Sequence, residues 1–266
     1  MAADPPLATA STAGSKAAGL SIEIAGVHQA FGEIVALDGI DLSIAAHHRL
    51  GIVGPSGCGK STLLSQIAGL LEPTAGTIDV GGAVERPARL ARCALMPQKD
   101  LLLPWRSALD NACLALENRG LAKAEARRRA KPLFERFGLA AFEERMPGEL
   151  SGGMRQRVAF LRTLMAEKEV LLLDEPFAAL DSITRAGMQE WLLGALEQEP
   201  KTVLLVTHDV DEALLLTNHV VVMSPRPGRI VRKLETSFPR DVPRREIVTS
   251  PAFAALKEQA LEALEC

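Results

Sequence analysis

One nine-residue stretch constrains this chain more than any other: GPSGCGKST, residues 54–62. An apolar run, RLGIVG (49–54), enters it, and a helix-patterned run, KSTLLSQIAGL (60–70), leaves it. The pattern G-x-x-x-x-G-K-[ST] between a strand and a helix is built to wrap a phosphate. Gly54, Gly57 and Gly59 let the backbone curl so that its N–H groups face phosphate oxygens, with Pro55, Ser56 and Cys58 completing the loop. Cys58 contributes backbone there and is not read as a nucleophile. Lys60 is positioned for the β and γ phosphates, Ser61 for a Mg²⁺ ion and Thr62 for a phosphate oxygen.

The rest of the chain agrees with an α/β core. Strand-like runs are SIEIAGV (21–27), ALDGIDLSI (36–44), GTIDVGG (76–82) and RCALMPQ (92–98). After a long interruption the alternation resumes: VLLLD (170–174) before a helix from about 182, TVLLVTH (202–208) before a helix at 210–217, then VVVMS (220–224). Apolar, two-sided strands alternating with helices argue for a parallel sheet covered by helices. Residues 99–168 read as wholly helical, over about 107–117, 123–137 and 152–166, and as a subdomain inserted in that core. The tail PAFAALKEQALEALEC (251–266) sets Phe253, Leu256, Ala260, Leu261 and Leu264 on one packing stripe.

Composition narrows the partners. A net charge of −3 over 266 residues gives no pull towards nucleic acid, and the absence of tyrosine with 4% aromatic content removes a base-stacking platform. The basic triplet Arg127–Arg129 reads as a solvated helix face. Cys58, Cys93, Cys113 and Cys266 lack metal spacing and read as free thiols in a reducing compartment. Residues 1–20, rich in Ala, Ser, Thr, Pro and Gly, read as a disordered tail and not a secretory signal. No run of about 18 apolar residues would cross a membrane.

Several polar residues fall at strand ends, where open parallel sheets bind ligands. In VLLLDEP, Asp174 reads as a Mg²⁺ carboxylate and Glu175 as the general base for an attacking water. Gln98 and His208 end their own strands, Gln98 within reach of a metal or water. Asp181, in ALD, can cap the helix after it. A second glycine pair opens a helix in LSGGMRQR (150–157), where Ser151, Gly152 and Gly153 present N–H groups suited to an anion.

Taken in order, these motifs resemble the ATP-binding subunit of ABC transporters over residues 21–235, with 236–266 as a C-terminal helical extension. The resemblance names GPSGCGKST as Walker A, Gln98 as the Q-loop, LSGGMRQR as the signature, LLLDEP as Walker B with its glutamate, ALD as the D-loop and His208 as the H-loop. It implies a P-loop ATPase with a parallel core sheet, an N-terminal antiparallel β subdomain and the inserted helical subdomain. It implies ATP and Mg²⁺ as cofactors, and Glu175, His208 and Gln98 as catalytic groups. It also implies two subunits head to tail, so that Ser151, Gly152 and Gly153 of one copy close over the ATP on the other. Further partners are transmembrane permease subunits and, indirectly, a solute-binding protein, on the cytoplasmic face of the plasma membrane.

A finer resemblance, carried by LLLPWRSALDNA (101–112), DEPFAALDSITR (174–185) and VTHDVDEALLL…VVVMSPRPGRI (206–230), is to bacterial importers of nitrate, sulfonates, taurine and thiamine-precursor pyrimidines. A short tail after residue 235 separates it from sugar-importer ATPases with a regulatory extension. Soluble ABC ATPases of cytosolic assembly machinery share the ATPase motifs but not these segments. Three departures stand out: Phe31 where the family has an adenine-stacking tyrosine, His47-His48 where a turn has Gly-Glu, and Ala178 for the glycine of GALD. A phenyl ring can still stack. His47 is strained if its turn needs positive φ.

Overall fold

A computed structural model describes residues 19–265, apart from 199, 237, 240 and 241. The expected disordered tail therefore falls almost wholly outside the described residues, as does Cys266. In chain order the elements are β1 (Ile22–Phe31), β2 (Ile34–Ile44), β3 (Arg49–Val53), α1 (Lys60–Ile67), β4 (Ala75–Val80), α2 (Arg86–Arg92) and β5 (Cys93–Met96). The helical block holds α3 (Ala108–Asn118), α4 (Lys123–Arg136) and α5 (Gly152–Leu164). Then come β6 (Val170–Asp174), α6 (Ser182–Gln198), β7 (Thr202–Val206), α7 (Val210–Leu216), β8 (His219–Met223), β9 (Ile230–Glu235), α8 (Arg244–Val248) and α9 (Pro251–Glu265).

Six strands form the core sheet in the order β5-β6-β7-β3-β8-β9. The first five are parallel and β9 runs antiparallel to β8. The expected parallel core sheet is present and carries an antiparallel edge strand, because six residues between β8 and β9 allow a hairpin but no crossover helix. The antiparallel three-stranded sheet β2-β1-β4 covers one face of the core. Alternation along β6 explains the layering. Leu171 and Leu173 join a core with α3–α6, while Val170 and Leu172 join one with α1 and the antiparallel sheet.

The helical block is less helical than its sequence suggests. Residues 101–107 form an irregular loop, and buried Asn111 explains it: its Oδ1 accepts from Leu103 N (2.8 Å), and its Nδ2 donates to the carbonyls of Leu103 (3.1 Å) and Arg106 (3.0 Å). On α4, Ala126, Ala130 and Phe134 face inward at four-residue spacing. The α9 stripe is also shifted: Phe253, Ala260 and Ala263 are buried against α7 and β8, whereas Leu261 is exposed. Helix α2 and strand β9 are not marked by the sequence patterns, and helix α8 falls within the 236–266 extension without a pattern of its own.

Candidate functional site

The loop after β3 gathers its side chains through backbone geometry. Gly59 sits at φ +102°, and a Cβ there would lie 2.5 Å from Leu37 Cδ2 and 3.0 Å from the Ala36 carbonyl, so only glycine fits. Lys60 is 7% exposed; its Nζ donates to the carbonyls of Gly54 (2.6 Å) and Pro55 (2.9 Å) and lies 3.7 Å from Cys58 Sγ. Cys58 itself is buried beneath the loop. Asp174, the last residue of β6, is 5% exposed. Burial pushes its carboxyl above the ordinary range and outweighs the hydrogen bond it receives from Ser61.

Glu175 follows at φ 50°, a left-handed conformation that a non-glycine residue rarely adopts. Its N–H donates to the Val206 carbonyl (2.8 Å), pinning it to the end of β7. One carboxylate oxygen, Oε2, receives Gln98 Nε2 at 3.4 Å and lies 3.3 Å from His208 Nδ1. Gln98 and His208, from the strand ends on either side, therefore converge on one oxygen of Glu175, whose backbone is held in a strained conformation at that point.

A cavity of about 380 Å³ opens over this group. Ser56, Gly57, Gly59, Lys60, Ser61 and Thr62 line it from the loop and α1, with Gln98, Asp174 and Glu175 from the β5 and β6 ends. Phe31, half exposed, lines it with Ile34 and Ala36 from the β1–β2 hairpin. Arg226, from the β8–β9 loop, completes the lining. Sequence reasoning missed Ile34, Ala36 and Arg226. A signal for Arg226 existed: it follows the carboxyl end of a parallel strand adjoining β3.

Ser151, Gly152, Gly153 and Asp181 do not line this cavity. Ser151 caps α5, its Oγ accepting from Met154 N at 3.2 Å, and both it and Gly152 are exposed. Asp181 accepts from Thr184 N (3.0 Å) and Ile183 N (3.1 Å) at the start of α6, and these bonds hold its carboxyl below the usual range. The two segments touch: a Cβ on Gly153 would lie 3.3 Å from the Ala179 carbonyl. Helix α5 also contacts residues at and next to the cavity wall. Gln156 Nε2 donates to the Glu175 carbonyl (3.4 Å), and Arg155 Nε and Arg162 Nη2 hold Asp100, two residues beyond Gln98.

The His47-His48 departure has a local account. His47 takes φ 64°, and three hydrogen bonds offset the strain: its N–H to Thr202 Oγ1 (2.9 Å), its Nε2 from Gly19 N (3.1 Å) and its Nδ1 with the Pro200 carbonyl (3.0 Å). His48 stacks beside His219 with ring centroids 5.6 Å apart.

A parallel sheet whose central strand feeds a glycine loop, a buried lysine and a strand-end Asp-Glu pair defines a phosphate-loop nucleotide-binding protein. Comparison with known proteins narrows the class. A family model described as ABC transporter matches residues 37–178. The taurine import ATP-binding protein TauB of Rhizobium johnstonii is 45% identical over 229 residues, covering 84% of this chain and 87% of its own length. TauB of Pseudomonas aeruginosa (strain UCBPP-PA14) is 42% identical over 253 residues, covering 93% and 94% respectively. The dimeric structure of the ATP-binding cassette MJ0796 in a post-hydrolysis state, bound to ADP and Pi, superposes with a TM-score of 0.74 at 29% identity, over 82% of this chain and all of that one. The chain belongs to the ABC transporter family, as an ATP-hydrolysing cassette. Among the described residues no helix is long and apolar enough to cross a membrane.

Proposed function

We propose that this chain powers a bacterial importer of taurine and related sulfonates, acting as a dimer beneath transmembrane permease subunits at the cytoplasmic face of the plasma membrane. The observation that carries the cargo class is the extent of the likeness: proteins named for taurine import match it across 84–93% of its length. A complete catalytic cluster supports the energy-coupling role.

In this reading Lys60 and the loop N–H groups hold the ATP phosphates, and Phe31 stacks on adenine. Glu175 polarises the attacking water, while Gln98 and His208, both at its Oε2, orient it. The hard oxygen donors Ser61, Asp174 and Gln98 suit Mg²⁺. The ion would neutralise charge on the phosphate oxygens. The exposed start of α5 supports a second role: Ser151, Gly152 and Gly153 offer the N–H groups of a helix start to the nucleotide of a second copy. Asp181 lies at the same face through the Gly153–Ala179 contact. Contacts from α5 to Glu175 and Asp100 give that closure a route to the hydrolytic centre and to a docked permease.

The test is an affinity pull-down from detergent-solubilised native membranes, followed by reconstitution of what is recovered. Expected are a polytopic permease at matching stoichiometry and ATPase activity stimulated by taurine with its binding protein. Recovery with cytosolic scaffold proteins alone overturns the transport reading. Stimulation by nitrate or a pyrimidine, and not by a sulfonate, overturns the cargo.

A further inference from the structure

Two arginines leave the same short loop and meet different fates. Residues 224–229, Ser-Pro-Arg-Pro-Gly-Arg, join β8 to β9. Arg229 turns onto Asp38, its Nε donating to Oδ2 at 2.8 Å, and Asp38 also meets His28 Nδ1 at 3.0 Å. Arg226 lines the nucleotide cavity, exposed, and has no ion-pair partner among the described residues.

The loop is held tightly for so exposed a segment. Gly228 N donates to the Ala36 carbonyl (2.9 Å), and Asp38 N donates to the Gly228 carbonyl (3.0 Å). Gly228 packs so closely on the glycine loop that a Cβ would lie 2.0 Å from the Cys58 carbonyl. Ser224 Oγ donates towards the carbonyls of Pro225 and Pro227 (both 3.0 Å) and accepts from Arg229 N (3.0 Å). Prolines on both sides of Arg226 restrict the backbone that carries it. The backbone that carries the guanidinium therefore has little ordering entropy left to lose on binding, and the cost that remains is that of the side chain's own rotamers.

Strand order says which part of the ligand that is. The glycine loop follows β3; Asp174 and Glu175 end β6, two strands to one side, and Arg226 follows β8, adjacent on the other. Arg226 therefore lies away from the hydrolytic carboxylates and joins the wall formed by Phe31, Ile34 and Ala36. An unpaired guanidinium on a stiff loop between that wall and the phosphate cradle matches the α-phosphate, which it can grip with paired N–H donors.

We propose that Arg226 is a nucleotide-binding residue that holds the α-phosphate, a second fixed cation alongside Lys60. This rests on the nucleotide-site reading above. It predicts a role in affinity shared by ATP and ADP and no role in the hydrolytic step.

The experiment is titration of the full-length protein, wild type, Arg226→Ala and Arg226→Lys, with MgATP and MgADP, alongside steady-state ATPase assays. Removing a charge-assisted contact weakens binding by about tenfold or more. That loss is expected equally for ATP and ADP in Arg226→Ala, with the ATPase KM raised and kcat within about twofold. Arg226→Lys, keeping the charge but losing the paired donors, should fall between. Arg226→Ala binding both nucleotides like the wild type overturns the proposal. A loss for ATP alone, or a fall in kcat at unchanged KM, overturns it too, because either places Arg226 at the γ-phosphate end. Wild type that binds neither nucleotide would instead defeat the nucleotide-site reading itself. Unchanged thermal melting of both ligand-free variants separates lost affinity from lost fold.

Discussion

The helical block and the strand ends treat their charges in opposite ways. In the block, Asp110 meets Lys123 Nζ at 2.6 Å and Arg127 Nε at 2.8 Å; Arg127 goes on to Glu144 at 2.8 Å. Glu125 pairs with Arg128 (2.8 Å) and Arg129 (3.1 Å), so the whole basic triplet is neutralised within its own subdomain. At the strand ends, Lys60 donates only to carbonyl oxygens and a thiol sulfur among the described residues, and Asp174 is buried with a hydroxyl as its hydrogen-bond donor. Charges that satisfy one another hold a shape. Charges left without counter-ions are available to a ligand, at a cost in stability that only binding recovers.

The largest test of that contrast is at the strand ends. Glu175→Gln keeps the volume and the contacts with Gln98 and His208 but removes the base. Hydrolysis should fall by roughly 10²–10⁴-fold, the usual worth of a positioned general base. ATP-bound dimers should accumulate on gel filtration, because closure precedes the lost step. A variant that stays monomeric at saturating ATP and Mg²⁺ breaks the sandwich reading for the isolated subunit.

The corresponding change in the block should behave in reverse. Burial alone would make Asp110 a weaker acid; hydrogen bonds from Lys123 and Arg127 outweigh it and hold the carboxyl below the usual range. Asp110→Ala leaves two cations without their shared partner and should cost about 2 kcal/mol, lowering Tm by roughly 5 °C. Nucleotide affinity should not change. Because the folded carboxyl is the stronger acid, the wild-type advantage is present above the unfolded value of about 4 and disappears as pH falls below it. A variant equally stable at pH 7 and pH 3 relative to wild type would show that the triad adds nothing.

The same contrast explains what could be read from the chain alone. GPSGCGKST and the strand-end acids were legible because their chemistry lies in local spacing, and the solvated reading of Arg127–Arg129 agrees with the ion pairs found. Helix α2, RPARLAR, was not legible: its one large apolar residue, Leu90, is exposed, and its anchor is Arg89, buried and bonded to Val84 and Glu72. Strand β9 is mostly exposed and takes its register from β8. Arg226 was hidden for a related reason. Nothing in Ser-Pro-Arg-Pro-Gly-Arg separates it from Arg229; only the long-range bonds of Gly228 to β2 decide which arginine faces the cavity.

The last predicted effect, absent in acid and present only at high pH, lies between the two regimes. Glu212 is 4% exposed on α7 and accepts from Gln189 Nε2 at 3.0 Å, with no cation in ion-pair contact among the described residues. Burial pushes its carboxyl up to about 7, outweighing hydrogen bonds from Thr207 and Gln189. A folded value above the unfolded one means that its contribution is fully present below about pH 4.5 and is lost as pH rises through about 7. Glu212→Gln keeps an acceptor for Gln189 and removes the buried charge. It should leave stability nearly unchanged at pH 5 and raise it at pH 8.5, by of order 1–3 kcal/mol for a shift of this size. Melting curves of wild type and variant across that range read the difference directly. A gap that grows towards acid would mean that Glu212 is held ionised by a partner, which would place it with Asp110 and not with Asp174.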